Sequence, residues 1–161
     1  MHGKLAVALA IAGTAWTASL AYPADETHAV TFSLSHATSP QAATVLRTIA
    51  GAKDLEFPDE RSITVRDTPE KLALAAAVVN MLDAPDDAAE TAPLTAGDSS
   101  VIATVVLKRA SEQDVMVALR KELHFARFAT AGGKRILLRD TDSQVQAALK
   151  LIARLERQEQ P

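Results

Sequence analysis

Residues 62–72 read SITVRDTPEKL, and residues 135–145 read RILLRDTDSQV. The shared I-x-[VL]-R-D-T pattern decides how the chain is read. A building unit is often duplicated within one chain, whereas an active-site loop rarely is. Setting the second half against the first at an offset of 73 needs no gaps. Leu34 falls on Leu107, Ala37 on Ala110 and Thr38 on Ser111. Leu46-Arg47 falls on Leu119-Arg120, Arg66-Asp67-Thr68 on Arg139-Asp140-Thr141, and Leu82 on Leu155. One constant offset over so many positions marks an internal repeat.

Each copy reads as strand, helix, strand, strand, helix. Val30, Phe32 and Leu34 alternate with Thr31, Ser33 and Ser35, the period of a half-buried strand. Thr38 with Gln41, and Ser111 with Asp114, have the spacing of helix starts whose side chains cap free backbone N–H groups. The helices then run to about Gly51 and His124. Turns are expected at Pro58-Asp59-Glu60 and at Ala131-Gly132-Gly133-Lys134, each joining two short strands. The RDT motif closes a strand and opens a helix: Pro69 suits the first helical position, and Thr141 has Gln144 three residues on. Thr38, Thr68, Ser111 and Thr141 are therefore read as structural helix caps. The functional rival is an Arg-Asp catalytic pair or an anion site at a helix start, but Asp67 and Asp140 carry the wrong charge to hold an anion.

The expected fold is α+β, two tandem βαββα units, each a small sheet with two helices on one face. The divisions are residues 1–21, a signal peptide; 28–84, the first unit; 85–100, an acidic linker rich in Pro and Ala; and 101–158, the second unit. The first segment has Lys4 before an apolar run and ends Ser19-Leu20-Ala21, which a signal peptidase accepts. That apolar run is shorter than the roughly 20 residues a membrane span needs. An exported, periplasmic chain without a transmembrane segment in its mature form is the expectation, held at the outer membrane through partners if at all.

There is no cysteine, which excludes disulfides, zinc–thiolate sites and thiol catalysis. Residues 22–99 hold 13 acidic and 5 basic side chains, and residues 100–161 hold 7 and 11, so the halves carry opposite charge. The net acidity does not suit nucleic acid. His28 and His36 flank the first strand about 26 Å apart at ~3.3 Å per residue, too far to share a metal. No metal-ligand, nucleophile-elbow or phosphate-loop spacing is found. The reading is therefore no enzyme, no metal and no cofactor.

A stronger signal lies in the closing helices. Leu72, Ala75, Ala76, Val79 and Leu82 match Val145, Ala148, Leu149, Ile152 and Leu155 as core stripes. Off that stripe the second copy has Ala147, Lys150, Arg154 and Arg157, whereas the first has Leu74, Ala77 and Met81, with Val78 beside them. A helix apolar nearly all round is covered on both sides. The other copy, the linker or an external partner are each possible covers. Leu74, Ala77, Val78 and Met81 form the expected interface, and Leu74→Glu with Met81→Glu is expected to leave the melting temperature intact while association fails.

The unit, with LKRASEQDV at 107–115, GKRILLRDT at 133–141 and ALKLIARLE at 148–156, resembles the ring-building periplasmic repeats of bacterial secretins. The first copy ends Met81-Leu82-Asp83 in that family's manner, and the second has Glu156 in place of the Asp. Ser62 and Arg135 stand where the family's hairpin often carries Asn, and no secretin barrel is present in the sequence. The resemblance implies a non-catalytic protein–protein interaction or assembly module, an accessory of a secretion or pilus system. Its partners would be envelope proteins or further copies of itself. The alternative is a small exported hydrolase or ligand-binding protein. The topology is also related to KH modules, but neither copy has their G-x-x-G loop, so no nucleic acid is expected.

Overall fold

The computed structural model describes residues 26–85, 93–96, 99–132 and 134–158. The expected signal segment, linker residues 86–92, 97 and 98, and Gly133 of the second expected turn lie outside the described residues. The fold is α+β, with two small antiparallel sheets and four helices. The first half runs β1 (His28–Ser33), α1 (Ser39–Val45) continuing as a π turn (Leu46–Ala50), β2 (Asp54–Asp59), β3 (Ser62–Asp67) and α2 (Pro69–Leu82). A short β4 (Leu94–Thr95) lies within the expected linker. The second half runs β5 (Val101–Val106), α3 (Glu112–Leu123), β6 (Phe128–Thr130), β7 (Arg135–Asp140) and α4 (Asp142–Gln158). The repeat offset relates both ends of β1 to those of β5, and both ends of β3 to those of β7. The strand orders are β1-β3-β2 and β4-β5-β7-β6.

Local chemistry explains the element ends. Pro69 opens α2, where its missing N–H has no intrahelical acceptor to lose. Gly51 ends the first helical segment in the left-handed region (φ 74°), and the Ala52 N–H reaches back to the Leu46 carbonyl. His124 does the same at φ 51°, with Phe125 N–H on Leu119, so a non-glycine residue carries the strained position in the second half. The buried Ser39 hydroxyl donates to the carbonyls of Asp59 and Ser62, at 2.8 and 3.0 Å, tying α1 to the turn between β2 and β3.

Packing produces four layers. Val30, Phe32, Leu55, Ile63 and Val65 of the first sheet meet Leu72, Ala75, Val79 and Leu82 of α2 and the buried side of α1, while Thr31 and Arg66 on the other face are exposed. In the second sheet Ala103, Val105, Ile136 and Leu138 meet α3 and α4. Ile102, Ala129 and Leu137 point the other way and join the first half's core. One helix-covered face per sheet therefore holds only for the first sheet. The second is buried on both, which is why ILL at 136–138 is an unbroken apolar run.

Candidate interaction surface

Of the four residues expected to form an outward interface, Val78 is fully buried, Met81 is 6 % exposed, and Leu74 packs against the same cluster. That cluster includes Ile102, Ala129 and Leu137 of the second sheet. Only Ala77 is left without a place in it, half-exposed. The expectation that this face awaits an external partner is corrected: Leu74, Val78 and Met81 enter a cluster of the chain's own, which draws on the first helical segment, the linker residues Leu94 and Ala96, and the second sheet. The sequence shows an apolar helix face, but the cluster that receives it is gathered from residues spread along the chain.

Two buried arginines of β7 complete the seam. Arg135 donates to the carbonyls of Leu82, Ala84 and Pro85, at 3.3, 2.8 and 2.7 Å, just past the end of α2. Arg139 donates to the Ile49 carbonyl at the end of the first helical segment, and its Nε to Ser100 Oγ at 2.8 Å. Four residues apart on a strand, the two side chains share a face. Each supplies positive charge where helix carbonyls lack partners. Their counterparts in the first copy are Ser62 and Arg66. Arg66 lies on the exposed face of the first sheet beside Asp54 and Glu56, at 3.6 and 3.3 Å. The functional alternatives that the sequence offers for the RDT arginine are a catalytic pair and an anion site, neither of which places it in a seam. The available signal was an arginine at each end of a strand otherwise apolar on both faces.

A second duplicated device sits at the end of each unit. The Asp83 carboxylate accepts from the backbone N–H groups of Ser35, His36 and Ala37, at 2.8, 2.7 and 2.8 Å. Glu156, at the matching place in the second copy, accepts from Lys108, Arg109 and Ala110, at 3.0, 3.0 and 3.2 Å. Each carboxylate thereby fastens the last helix to the loop between first strand and first helix. Hydrogen bonds to a charged group contribute about 1.5–3 kcal/mol. Because these lie near solvent, Asp83→Ala is expected to cost about 2 kcal/mol in chemical denaturation, and Asp83→Glu to restore part of it.

The four expected caps divide. Ser111 accepts from the Asp114 N–H at 3.1 Å, and Thr141 from the Gln144 N–H at a longer 3.4 Å. At Thr38 the N–H donates to Gln41 Oε1 at 3.0 Å. Thr68 occupies the N-cap position, but its side chain makes no cap bond. There Pro69 already removes one donor, and the Thr68 N–H turns to Asp67 Oδ1 at 2.9 Å, as Thr141 N–H turns to Asp140 at 2.8 Å. The Asp of RDT, not the Thr, makes the bond common to both copies. Ser111→Ala is accordingly expected to lower stability by roughly 1 kcal/mol and Thr68→Ala by less than about 0.5 kcal/mol, measured by urea unfolding.

Little else gathers chemistry. A shallow depression of ≈ 580 Å³ lies between α1 and the β2–β3 turn, lined among others by Pro40, Ala43, Arg47 and the half-exposed Phe57. A smaller one of ≈ 160 Å³ lies on the seam, lined by His36, Gln41, Leu82 and Arg135, whose guanidinium is engaged by carbonyls. Among the described residues no three His, Asp or Glu side chains could hold a metal ion, and no helix is long and apolar enough to cross a membrane. No protein-family model, curated protein or solved structure matches the chain.

Proposed function

We propose that the chain is a non-catalytic assembly module of the cell envelope, built from two βαββα units resembling those of secretin periplasmic domains. In this reading it is exported by the segment 1–21 and serves a secretion or pilus system as an accessory. One observation carries it: the units stack, with the second sheet lying on the helices of the first. A chain whose helix faces and buried arginines are spent on joining units is built for contact and not for turnover. Arg139 illustrates this, since the motif's most chemically capable side chain is consumed by a helix end.

The test is photocrosslinking in the periplasm from the exposed positions Phe57 and Val117, followed by mass spectrometry of the adducts. Adducts with envelope assembly proteins, or with the chain itself, are the expected result. Adducts of neither kind, together with hydrolysis of an ester or peptide library by the purified protein, would reverse the reading in favour of the hydrolase.

A further inference from the structure

We propose that β1 is a pairing edge whose occupant is β1 of a second copy, the strands running antiparallel about a two-fold axis through Thr31. The proposal rests on the assembly reading and names a partner for it.

Strand position comes first. β1 lies at the edge of its sheet, and among the described residues it pairs with β3 alone. β5, its counterpart in the second copy, has the same edge covered by β4 of the chain itself.

The direction of the backbone groups follows from the register. The Leu34 N–H donates to the Arg61 carbonyl at 2.7 Å, continuing the pairing of β1 with β3. Backbone groups of alternate residues point to opposite sides of a strand in an antiparallel ladder. Val30 and Phe32 therefore turn theirs to β3, and Ala29, Thr31 and Ser33 turn theirs to the side away from β3. The second sheet follows the same rule. Leu107 N–H donates to Lys134, and Ile102, the counterpart of Ala29, stands opposite Leu94 of β4.

The edges differ in their protection. Natural sheets guard an edge with charge, proline, a bulge or brevity. β2 has Asp54, Glu56, Pro58 and Asp59, with a register shift between Glu56 and Asp59. β6 has three residues. β1 is HAVTFS, six residues in unbroken register with no proline, lysine, arginine or carboxylate. Among the described residues β1 is the edge strand whose sequence and register carry none of these guards.

The strand is also complementary to itself. With the axis through Thr31, Val30 faces Phe32 of the second copy on the helix-covered side, a β-branched–aromatic pair of the kind that stabilises sheets. On the outer side Thr31 faces Thr31 and Ala29 faces Ser33, so no charge meets a like charge. α2 packs over β1 and β3, and α1 over β2 and β3, so α2 is the helix nearer this edge. The face of α2 that carries the exposed or half-exposed Ala73, Ala76 and Ala77 is made mostly of small side chains, with the exposed Asn80 one turn further on. The two sheets would join as β2-β3-β1-β1-β3-β2. Such a contact is isologous and closes at a dimer.

The test is sedimentation of the purified protein over a range of concentration, with hydrogen exchange of the β1 amides. The expected result is a reversible dimer, with the amides of Ala29, Thr31 and Ser33 gaining protection as concentration rises. Thr31→Lys sets two cations opposite each other, and Thr31→Pro removes a donor that faces away from β3; each is expected to raise the dissociation constant at least about tenfold. Thr31→Lys, on an exposed side chain, is expected to leave the far-UV spectrum of the monomer unchanged, which separates loss of pairing from loss of fold. Thr31→Cys in this cysteine-free chain is expected to give a disulfide-linked dimer on oxidation, and Glu56→Cys on β2 to stay monomeric. A monomer at every concentration overturns the proposal. So does a dimer indifferent to Thr31→Lys, or a monomer whose β1 amides are protected at every dilution, since a segment of the same chain would then cover the edge. If crosslinking retrieves an envelope protein while the chain stays monomeric, β1 self-pairing fails and the assembly reading stands.

Discussion

Arg139→Ala is expected to destabilise the protein by about 3 kcal/mol, and Arg66→Ala, at the same place in the first copy of the motif, by less than about 1 kcal/mol. Arg139 is 8 % exposed and bonds the Ile49 carbonyl and Ser100. Truncation leaves a helix-end carbonyl without its donor inside the seam and removes an aliphatic stem packed between the halves. Arg66 has a half-exposed side chain whose pairs with Asp54 and Glu56 are screened by water. Differential scanning calorimetry should register a drop of roughly 10 °C for the first variant and a few degrees at most for the second. Equal losses would mean that the guanidinium–carbonyl contacts across the seam contribute no more than a surface ion pair.

Leu74→Glu with Met81→Glu is expected to unfold the protein, not merely to abolish association. Met81 is 6 % exposed and belongs to a cluster drawn from both halves, so a carboxylate there sits in apolar surroundings away from water. The expected cost is at least about 4 kcal/mol, a large part of the stability of a domain this size. Lys150→Glu, at the counterpart of Ala77, lies on an exposed face and should change stability by no more than about 0.5 kcal/mol. Circular dichroism melts of the two variants decide the matter. A folded double mutant with a wild-type melting temperature would mean that the halves do not share a core. For the same reason the wild-type protein is expected to melt in one transition, because Ile102, Ala129 and Leu137 of the second half sit in the first half's cluster.

The two largest effects fall where sequence reading was weakest, and the residues say why. Alternation in Val30, Phe32, Ile63 and Val65 is a local signal, as are Pro69 at a helix start and Gly51 at a helix end. Such signals depend on a residue and its near neighbours, so they survive without tertiary information. The direction in which Val78 and Met81 point is equally local. What meets them is not.

The sequence alone carries one pattern written twice at a constant offset, with the periodicity of strands and helices in an α+β chain. Most of the turns, helix ends and core stripes follow from that, because periodicity and capping act over a few residues. Only the tertiary structure decided that the copies are inequivalent in use. Arg139 is buried against a helix end while Arg66 is exposed to water. Among the described residues β5 receives a strand that β1 lacks, and Met81 is covered while its counterpart Arg154 is exposed. Each of these depends on which face of one unit meets the other. That choice is made by the free energy of burying Ile102, Ala129 and Leu137 together with the first half's helices. It is summed over residues distant in the chain, and no window of sequence contains both sides of it.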